Sequence, residues 1–161
     1  MKSLKIIYRL KYPRDLWLFL QILLTLMLLP RKIGKLSLPD LLSRIDPGAV
    51  QGPRDRLRLE KTVRFIESLL KYSFFRRYGY CLLRSLILFK FLRRQGWPVT
   101  IHFGVRKTGD EAGPVPDKRV RATPAAQIGI TGHSWLMLNG KPFLEAESGE
   151  GAFTETYSYP H

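Results

Sequence analysis

The sequence predicts an α+β fold in which helices come first and a small antiparallel sheet follows. Apolar residues recur at helical spacing in several segments before residue 93. Residues 99–105 and 153–159 alternate as strands do, the latter as an expected edge strand, and residues 128–146 contain two apolar runs separated by Asn139 and Gly140. With 161 residues, 45% of them hydrophobic, the chain can bury a sizeable core. We divide it into an N-terminal helical region, residues 1–78, and a core region, residues 79–161, and expect one compact domain overall.

The first apolar run, Leu16 to Leu29, follows five cationic residues and has two interpretations. It contains Gln21 and Thr25 and stops at Pro30, and a bilayer span needs about twenty apolar residues, so we do not interpret it as a transmembrane segment. No small-residue cleavage site follows, which argues against a signal peptide. We expect a buried helix that starts at Asp15; a helix lying in the membrane interface, helped by the flanking cations, is the alternative.

Two further helices are predicted before the core region. A short one lies within residues 36–45, with Pro39 and Asp40 at its start. A longer amphipathic helix occupies residues 54–74. Its apolar stripe consists of Leu59, Val63, Ile66 and Leu70. The formal net charge of +14 favours anionic partners, but basic residues opposite an apolar stripe are typical of a solvated face, and no nucleic-acid motif accompanies them. Nucleic acid is therefore not a predicted partner.

The segment from Gly79 to Gly96 contains the only cysteine, Cys81, at the predicted start of a largely apolar helix. A thiol in the first turn faces unsatisfied backbone N–H groups and the positive end of the helix dipole, which lowers its pKa. The alternative is a buried, inert cysteine, since free cysteines are among the most buried residues. A single cysteine excludes an internal disulfide framework and suits a reducing cytoplasm, where we expect the protein to reside.

The C-terminal half is predicted to hold a strand at residues 99–105, which contains His102, and a hairpin around Asn139 and Gly140. Residues 108–127, rich in glycine and proline, are expected to form a loop. The hairpin has two candidate registers. A two-residue loop pairs Leu138 with Lys141 and sets His133 across from Ala146. A three-residue loop with a bulge sets His133 across from Glu145, and only this register forms a histidine-carboxylate pair.

The order of three residues points to nucleophilic catalysis. A cysteine at a helix start, Cys81, is followed by a histidine on a strand, His133, and a carboxylate on the next strand, Glu145. The thiolate would attack a carbonyl, the imidazole would move the proton, and the carboxylate would orient the imidazole. The backbone N–H of Cys81 is a candidate oxyanion donor. The three histidines and Cys81 lack metal-ligand spacing, so neither a metal nor a cofactor is predicted.

Two segments carry a more specific resemblance. YGYCLLRSLILFKFLRRQGWPVTIHFGV and GHSWLMLNGKPFLE resemble the transglutaminase-like family that includes the lasso-peptide leader peptidases. In that family a Cys-Leu-x-x-Ser-Leu helix precedes a Gly-Val strand and a His-x-Trp hairpin. The matching positions are Cys81, Ser85, Leu86, Gly104, Val105, His133, Trp135 and Gly140.

The resemblance implies a papain/transglutaminase-like core, with the cysteine helix packed on a small antiparallel sheet. It also implies a hydrolase of ribosomal peptide maturation: a cysteine protease that removes the leader from a lasso-peptide precursor. The implied partners are the precursor's leader segment, a separate leader-binding protein and an ATP-using lasso cyclase. The family's third catalytic residue is usually Asp. Here it is Glu145, and Glu147 and Asn139 are the alternatives.

Two other functions remain open from the sequence. The acyl-enzyme could pass to an amine instead of water, which would make the protein a transamidating acyl transferase. Alternatively, the chain could be a non-catalytic, basic module that binds a peptide or makes peripheral contact with a membrane through Leu16 to Leu29, with Cys81 as a core residue. Substitution of Cys81 distinguishes these hypotheses, because it would leave the protein's function unchanged only in the non-catalytic module.

Overall fold

The computed structural model describes residues 12–48, 54–72, 79–107, 130–144 and 153–160. Within these ranges four helices precede a four-stranded antiparallel sheet, which confirms the predicted α+β class. The helices are α1 (Pro13–Ile33), α2 (Leu38–Ile45), α3 (Arg56–Leu70) and α4 (Tyr80–Arg94). The strands are β1 (Val99–Lys107), β2 (Ile130–Leu138), β3 (Lys141–Phe143) and β4 (Thr154–Tyr159).

Helix α1 is longer than its apolar run. It begins at Pro13, where a missing N–H costs no helical hydrogen bond, and it continues through Pro30 to Ile33. The prediction that the helix starts at Asp15 is therefore wrong. It lies in the first turn, is buried, and forms a salt bridge of 2.8 Å with Lys61 of α3. This contact attaches the start of α1 to the helical layer.

Side-chain caps set the start of the next two helices. Ser37 caps α2, because its hydroxyl accepts a hydrogen bond from the backbone N–H of Asp40, and Pro39 and Asp40 lie in the first turn as predicted. Asp55 precedes α3 and accepts from the backbone N–H groups of Leu57 and Arg58. Both helices then bury an apolar stripe, as the sequence predicts. The stripe of α3 includes buried Leu59, Ile66 and Leu70, with Val63 partly buried.

Helix α4 forms the centre of the core, and glycines mark its two ends. Gly79 (φ 86°) precedes it and Gly96 (φ 79°) follows it, both in the left-handed region that favours glycine. Both predicted boundaries are confirmed. Eight residues of α4 are buried, and one hydrophobic cluster joins them to the other helices and to the inner face of the sheet. This cluster draws on residues from both sides of the proposed division at residues 78 and 79, a division that stays a prediction.

The sheet has the strand order β3-β2-β1-β4, and every adjacent pair is antiparallel. The central pair, β1 and β2, aligns Ile101 with Leu136, and both side chains are buried against the helices. Strand β4 lies at the edge beside β1, as predicted for residues 153–159.

The hairpin between β2 and β3 adopts the two-residue register. Leu138 pairs with Lys141, and the loop residues Asn139 (φ 53°) and Gly140 (φ 73°) both have positive φ. The register that sets His133 across from Glu145 is therefore wrong. Strand β3 ends at Phe143, and the next residue, Leu144, has left the extended conformation with a φ of 61°. Glu145, Glu147 and the predicted loop at 108–127 lie outside the described residues.

Candidate active site

Cys81 is the second residue of α4, immediately after the turn at Gly79. The first backbone hydrogen bond of the helix runs from the N–H of Leu83 to the carbonyl of Gly79. The N–H of Cys81 itself precedes that bond, so it belongs to the set of donors that a helix leaves without an intrahelical acceptor. Together with the helix dipole, these donors favour negative charge at this position. The thiol is half-buried and not in a disulfide.

The first turns of α4 lie against the open edge of β2. Leu136 pairs with Phe143 on β3, and Ser134, two residues earlier, directs its backbone groups to the same edge. The hydroxyl of Ser85 donates a hydrogen bond of 2.9 Å to the carbonyl oxygen of Ser134, and the N–H of Ser134 interacts with the thiol of Cys81. Cys81 and Ser85 are four residues apart, so they share a face of α4. This face fixes the cysteine helix to the strand that carries the histidine.

The side chain of His133 interacts with the Cys81 thiol. Burial raises the pKa of Cys81, but the hydrogen bond and charge of His133, with smaller contributions from the N–H groups of Leu82 and Ser134, outweigh it. The pKa of Cys81 therefore lies below its ordinary value. Both a specific partner, His133, and the helix terminus lower the pKa of Cys81. This is the microenvironment of a reactive cysteine.

Aromatic rings fix the position of the His133 imidazole. It stacks on Trp135, with centroids 5.9 Å apart and ring planes at 15°, and it contacts Phe153 at 5.0 Å. Trp135 is buried, so it provides a fixed surface under the imidazole. These contacts restrict the histidine ring on the strand from which it reaches Cys81.

Gly104 makes room for that tryptophan. It pairs with His133 across β1 and β2, and a Cβ atom at this position would meet the Trp135 ring at 3.0 Å and the carbonyl oxygen of Thr154 at 2.9 Å. The glycine is thus required by a close approach of ring and backbone, since its φ is not in the left-handed region.

The other histidine on the sheet, His102 of β1, contacts a different group of residues. It stacks on the other side of the site against Trp135 at 5.8 Å, and its Nδ1 lies 3.0 Å from a carboxylate oxygen of Glu155 on β4. Its Nε2 lies 2.9 Å from the hydroxyl of Thr100. The hydrogen bond with His102 is the main cause that lowers the pKa of Glu155. Both ring nitrogens of His102 thus face partners other than Cys81, which indicates a structural role.

An acidic residue that the sequence analysis did not single out holds the start of α4. Glu67 of α3 accepts a hydrogen bond of 2.7 Å from the hydroxyl of Tyr80 and one of 2.6 Å from Nε of Arg84. Arg84 also donates to the carbonyl oxygen of Leu144 at 3.1 Å. Tyr80 and Arg84 flank Cys81, so Glu67 braces the turn that presents the thiol. The only sequence signal was the spacing of Tyr80 and Arg84, which places them on one helical face.

The third member of the predicted triad is not among the described residues. Glu145 and Glu147 fall outside them. Asn139 is described, but it sits in the hairpin turn, six residues from His133 along an extended strand. At about 3.3 Å per residue this separation is roughly 20 Å, which excludes Asn139 as a partner of His133.

An apolar groove of about 440 Å³ lies between α3 and the β2–β3 hairpin. Its walls come from Leu59 and Val63 on one side and from Phe143 and Leu144 on the other. Neither Cys81 nor His133 lines the groove. One of its lining residues, Leu144, is linked to α4, because its carbonyl oxygen accepts a hydrogen bond from Arg84.

A comparison with known protein families gives a match to this chain. A family model described as Transglutaminase-like superfamily matches residues 20–115, more than half of the 161-residue chain. The matched range contains Cys81 and the whole of β1, and it ends before His133. Neither the search of curated proteins nor the search of solved structures found a match.

Proposed function

The chain belongs to the transglutaminase-like superfamily, and on this premise we propose that it is a cysteine protease that removes the leader from a lasso-peptide precursor. The superfamily generally contains cysteine-dependent enzymes, among them cysteine proteases and acyltransferases. The observation that carries the proposal is the position of Cys81 in the first turn of α4, where its thiol interacts with the side chain of His133, a candidate general base, and has a lowered pKa.

The proposed reaction begins with the Cys81 thiolate attacking the carbonyl carbon of the scissile peptide bond. The backbone N–H of Cys81 donates a hydrogen bond to the oxygen that becomes negatively charged. His133, holding the proton from the thiol, gives it to the leaving amine, so that the C–N bond breaks and a thioester remains. A water molecule, deprotonated by His133, then attacks the thioester and releases the acid product with regeneration of the thiol.

The assignment of the protease to leader removal is supported by the resemblance to the lasso-peptide leader peptidases and by the positions of the motif residues that carry this resemblance. Ser85 holds the cysteine helix to β2, Trp135 lies under the His133 ring, and Gly104 leaves room for Trp135. These three motif positions thus support the elements that carry Cys81 and His133. On this assignment the partners are the precursor's leader segment, a separate leader-binding protein and a lasso cyclase, and the reaction takes place in the cytoplasm.

The groove between α3 and the hairpin is the proposed contact for apolar side chains of the peptide. Its lining is almost wholly apolar apart from Arg56, Glu60 and Arg64 at its rim. Val63→Glu would place a charge in it without touching Cys81. On this proposal Val63→Glu raises KM for the precursor with kcat much less affected, because the lost contact is equally strong in the ground state and the transition state.

Glu145 is the proposed third member of the triad, with Glu147 as its alternative. Comparison of Glu145→Gln with Glu147→Gln decides between them, since the residue that orients His133 lowers kcat when it loses its charge and the other does not. Equal activity of both variants with wild type would remove the carboxylate from the mechanism and leave a Cys81–His133 dyad.

The direct test is cleavage of the precursor peptide encoded nearest this gene, in the presence of its leader-binding protein, followed by mass spectrometry. Wild type and the control His102→Gln are expected to produce one defined cut, and Cys81→Ala to produce none. His102→Gln is a matched control because His102 contacts the same tryptophan but not the thiol. Cleavage by Cys81→Ala would overturn the catalytic proposal and favour the non-catalytic binding module.

The same experiment separates hydrolysis from transamidation, which remains a candidate because the superfamily includes acyltransferases. Hydrolysis adds one water across the cut bond. An amine acceptor instead gives a crosslinked product, with loss of ammonia when the donor is a glutamine side chain.

A further inference from the structure

Helix α1 exposes a continuous apolar face. The outer face, as we call it, consists of Leu16, Trp17, Leu20, Leu24, Met27 and Leu28, and each of these side chains is at least 43% exposed. They recur at spacings of three and four residues, which keeps them on one side of the helix over about three turns. Six large apolar side chains in one stripe are far more than the scattered exposed hydrophobics of an ordinary protein surface.

The opposite side of α1 is part of the protein core. Ile22 and Leu26 are fully buried, and Phe19 packs edge-to-face on Phe65 of α3 with centroids 5.6 Å apart. The helix is 21 residues long and contains an 18-residue window with a mean hydropathy of 1.6, which suffices in length and composition to cross a membrane. Crossing would require these core contacts and the Asp15–Lys61 salt bridge to break. The structure instead packs one side of α1 into the core, and among the described residues nothing covers the other side.

A group of cations borders the outer face. Lys32 follows it on α1, and Lys90 and Arg94 of α4 lie alongside, with Arg94 donating to the side-chain oxygen of Gln21 at 3.1 Å. Burial, followed by repulsion from Lys32 and Arg94, lowers the pKa of Lys90. Within the described ranges no carboxylate forms an ion pair with any of these three cations. They form a concentrated positive charge that has no acidic counterpart in the described fold.

We propose that the outer face docks into the interface of a membrane that contains anionic phospholipids, with Lys32, Lys90 and Arg94 on the lipid phosphates. The apolar side chains enter the boundary between headgroups and acyl chains, and the cations remain at the headgroup level. Trp17 lies toward one end of the face and is 65% exposed, and an amphipathic indole is favoured at that depth. The helix axis would lie parallel to the membrane plane.

The charge is what favours a lipid surface over a protein partner or a second copy of the chain. A second copy would bring its own Lys32, Lys90 and Arg94 to the contact, and like charges would oppose association in a chain of net charge +14. A phosphate surface satisfies the apolar stripe and the cations together. The proposal does not depend on the peptidase function, because no residue of the outer face contacts the candidate active site.

The test is flotation of the full-length protein with vesicles of phosphatidylcholine alone and of phosphatidylcholine mixed with phosphatidylglycerol. Wild type is expected to float with the mixed vesicles. Leu24→Gln is expected to weaken partitioning by roughly tenfold, the effect of removing one buried leucine. The matched control is Leu57→Gln, because Leu57 is 71% exposed on α3 and lies outside the outer face. It is expected to bind as wild type does.

The cations are tested separately. Lys90→Gln should weaken binding to the mixed vesicles by about fivefold, and added salt should weaken wild-type binding. Lys141→Gln, which changes an exposed cation on the hairpin, is the control. Circular dichroism establishes that each variant is folded before binding is measured.

Three outcomes would overturn the proposal. These are absence of wild-type binding to mixed vesicles, equal binding by Leu24→Gln and Leu57→Gln, and equal binding to both vesicle types. A protein contact would appear instead as an oligomer in light scattering that Leu24→Gln converts to monomer. Precursor cleavage by Leu24→Gln is also measured in solution. Because the variant leaves the thiol site intact, this assay distinguishes a failure of the membrane proposal from a failure of the peptidase proposal.

Discussion

The hydroxyl of Ser85 donates a hydrogen bond of 2.9 Å to the carbonyl oxygen of Ser134, and both residues are only 2% exposed. The acceptor lies on the edge of β2 beyond the point where β3 ends. Among the described residues no strand pairs with β2 at Ser134, and the side chain of Ser85 holds α4, which carries Cys81, against the strand that carries His133. The candidate site depends on this contact as much as on the two reactive residues.

Ser85→Ala is expected to lower both stability and activity. It leaves the buried carbonyl of Ser134 without its hydroxyl partner, which costs about 1–3 kcal/mol of unfolding free energy. It also loosens α4 on β2, so kcat should fall and the pKa of Cys81 should rise toward its ordinary value. Denaturant unfolding and the pH profile of Cys81 alkylation measure the two effects.

The control for Ser85 is Ser43→Ala on α2, because Ser43 is exposed and its hydroxyl bonds only within its own helix turn. That substitution should change stability by about 0.5 kcal/mol or less. A Ser85→Ala protein that is destabilised but keeps the wild-type alkylation profile would reduce Ser85 to a purely structural residue.

Gly104→Ala is expected to damage the site by displacing Trp135. The added methyl group would meet the indole at 3.0 Å and a backbone oxygen at 2.9 Å, and overpacking of this kind costs about 1–3 kcal/mol. Because Trp135 supports the His133 ring, kcat should fall as well. Gly34→Ala is the matched control, since a Cβ there meets nothing within 4 Å and its φ is −82°. If both variants behave alike, the close approach at Gly104 is not a constraint.

Glu67→Gln is expected to loosen the first turn of α4. It removes the charge that accepts hydrogen bonds from Tyr80 and Arg84, and the loss should be about 1–2 kcal/mol because these bonds are short and only partly exposed. Glu60→Gln on the same helix is the control, since its ion pairs of 3.6 and 3.7 Å are exposed and worth little. Thermal unfolding compares the two. Equal melting temperatures would show that Glu67 does not brace the turn.

Local signals were sufficient to predict most elements of the fold. Gly79 and Gly96 marked the ends of α4, and both adopt the positive φ that favours glycine. The strand at 99–105, the hairpin turn and the edge strand at 153–159 followed from alternation and from Asn-Gly, and all three are present. Cys81 was likewise predicted at a helix start, where the structure places it, and its thiol interacts with His133.

Features that depend on distant partners could not be predicted. Asp15 was predicted to start a helix. Its actual partner, Lys61, lies 46 residues away, so no local pattern could reveal their salt bridge. The hairpin register was open because alternation along β2 suits either loop. The structure selects the register that aligns Leu136 with Phe143, since a shift of one residue would turn side chains of β3 to the other face. The pairing of His102 with Glu155 depends on β4 returning beside β1, which no local pattern specified.

The most direct test of the central claim, that His133 activates Cys81, is the pH dependence of alkylation by iodoacetamide. Cys81 is the only cysteine, so the labelling rate reports one thiol. Because its pKa is lowered, the thiolate persists below the pKa of a free thiol, about 8.5, and reactivity is lost only as pH falls through the lowered value.

His133→Gln is expected to move the alkylation profile to higher pH and to slow alkylation at neutral pH by roughly tenfold, the effect of a shift of about one unit. The control His102→Gln should keep the wild-type profile. A wild-type thiol that titrates like free cysteine, with no change in His133→Gln, would contradict the claim that His133 activates Cys81.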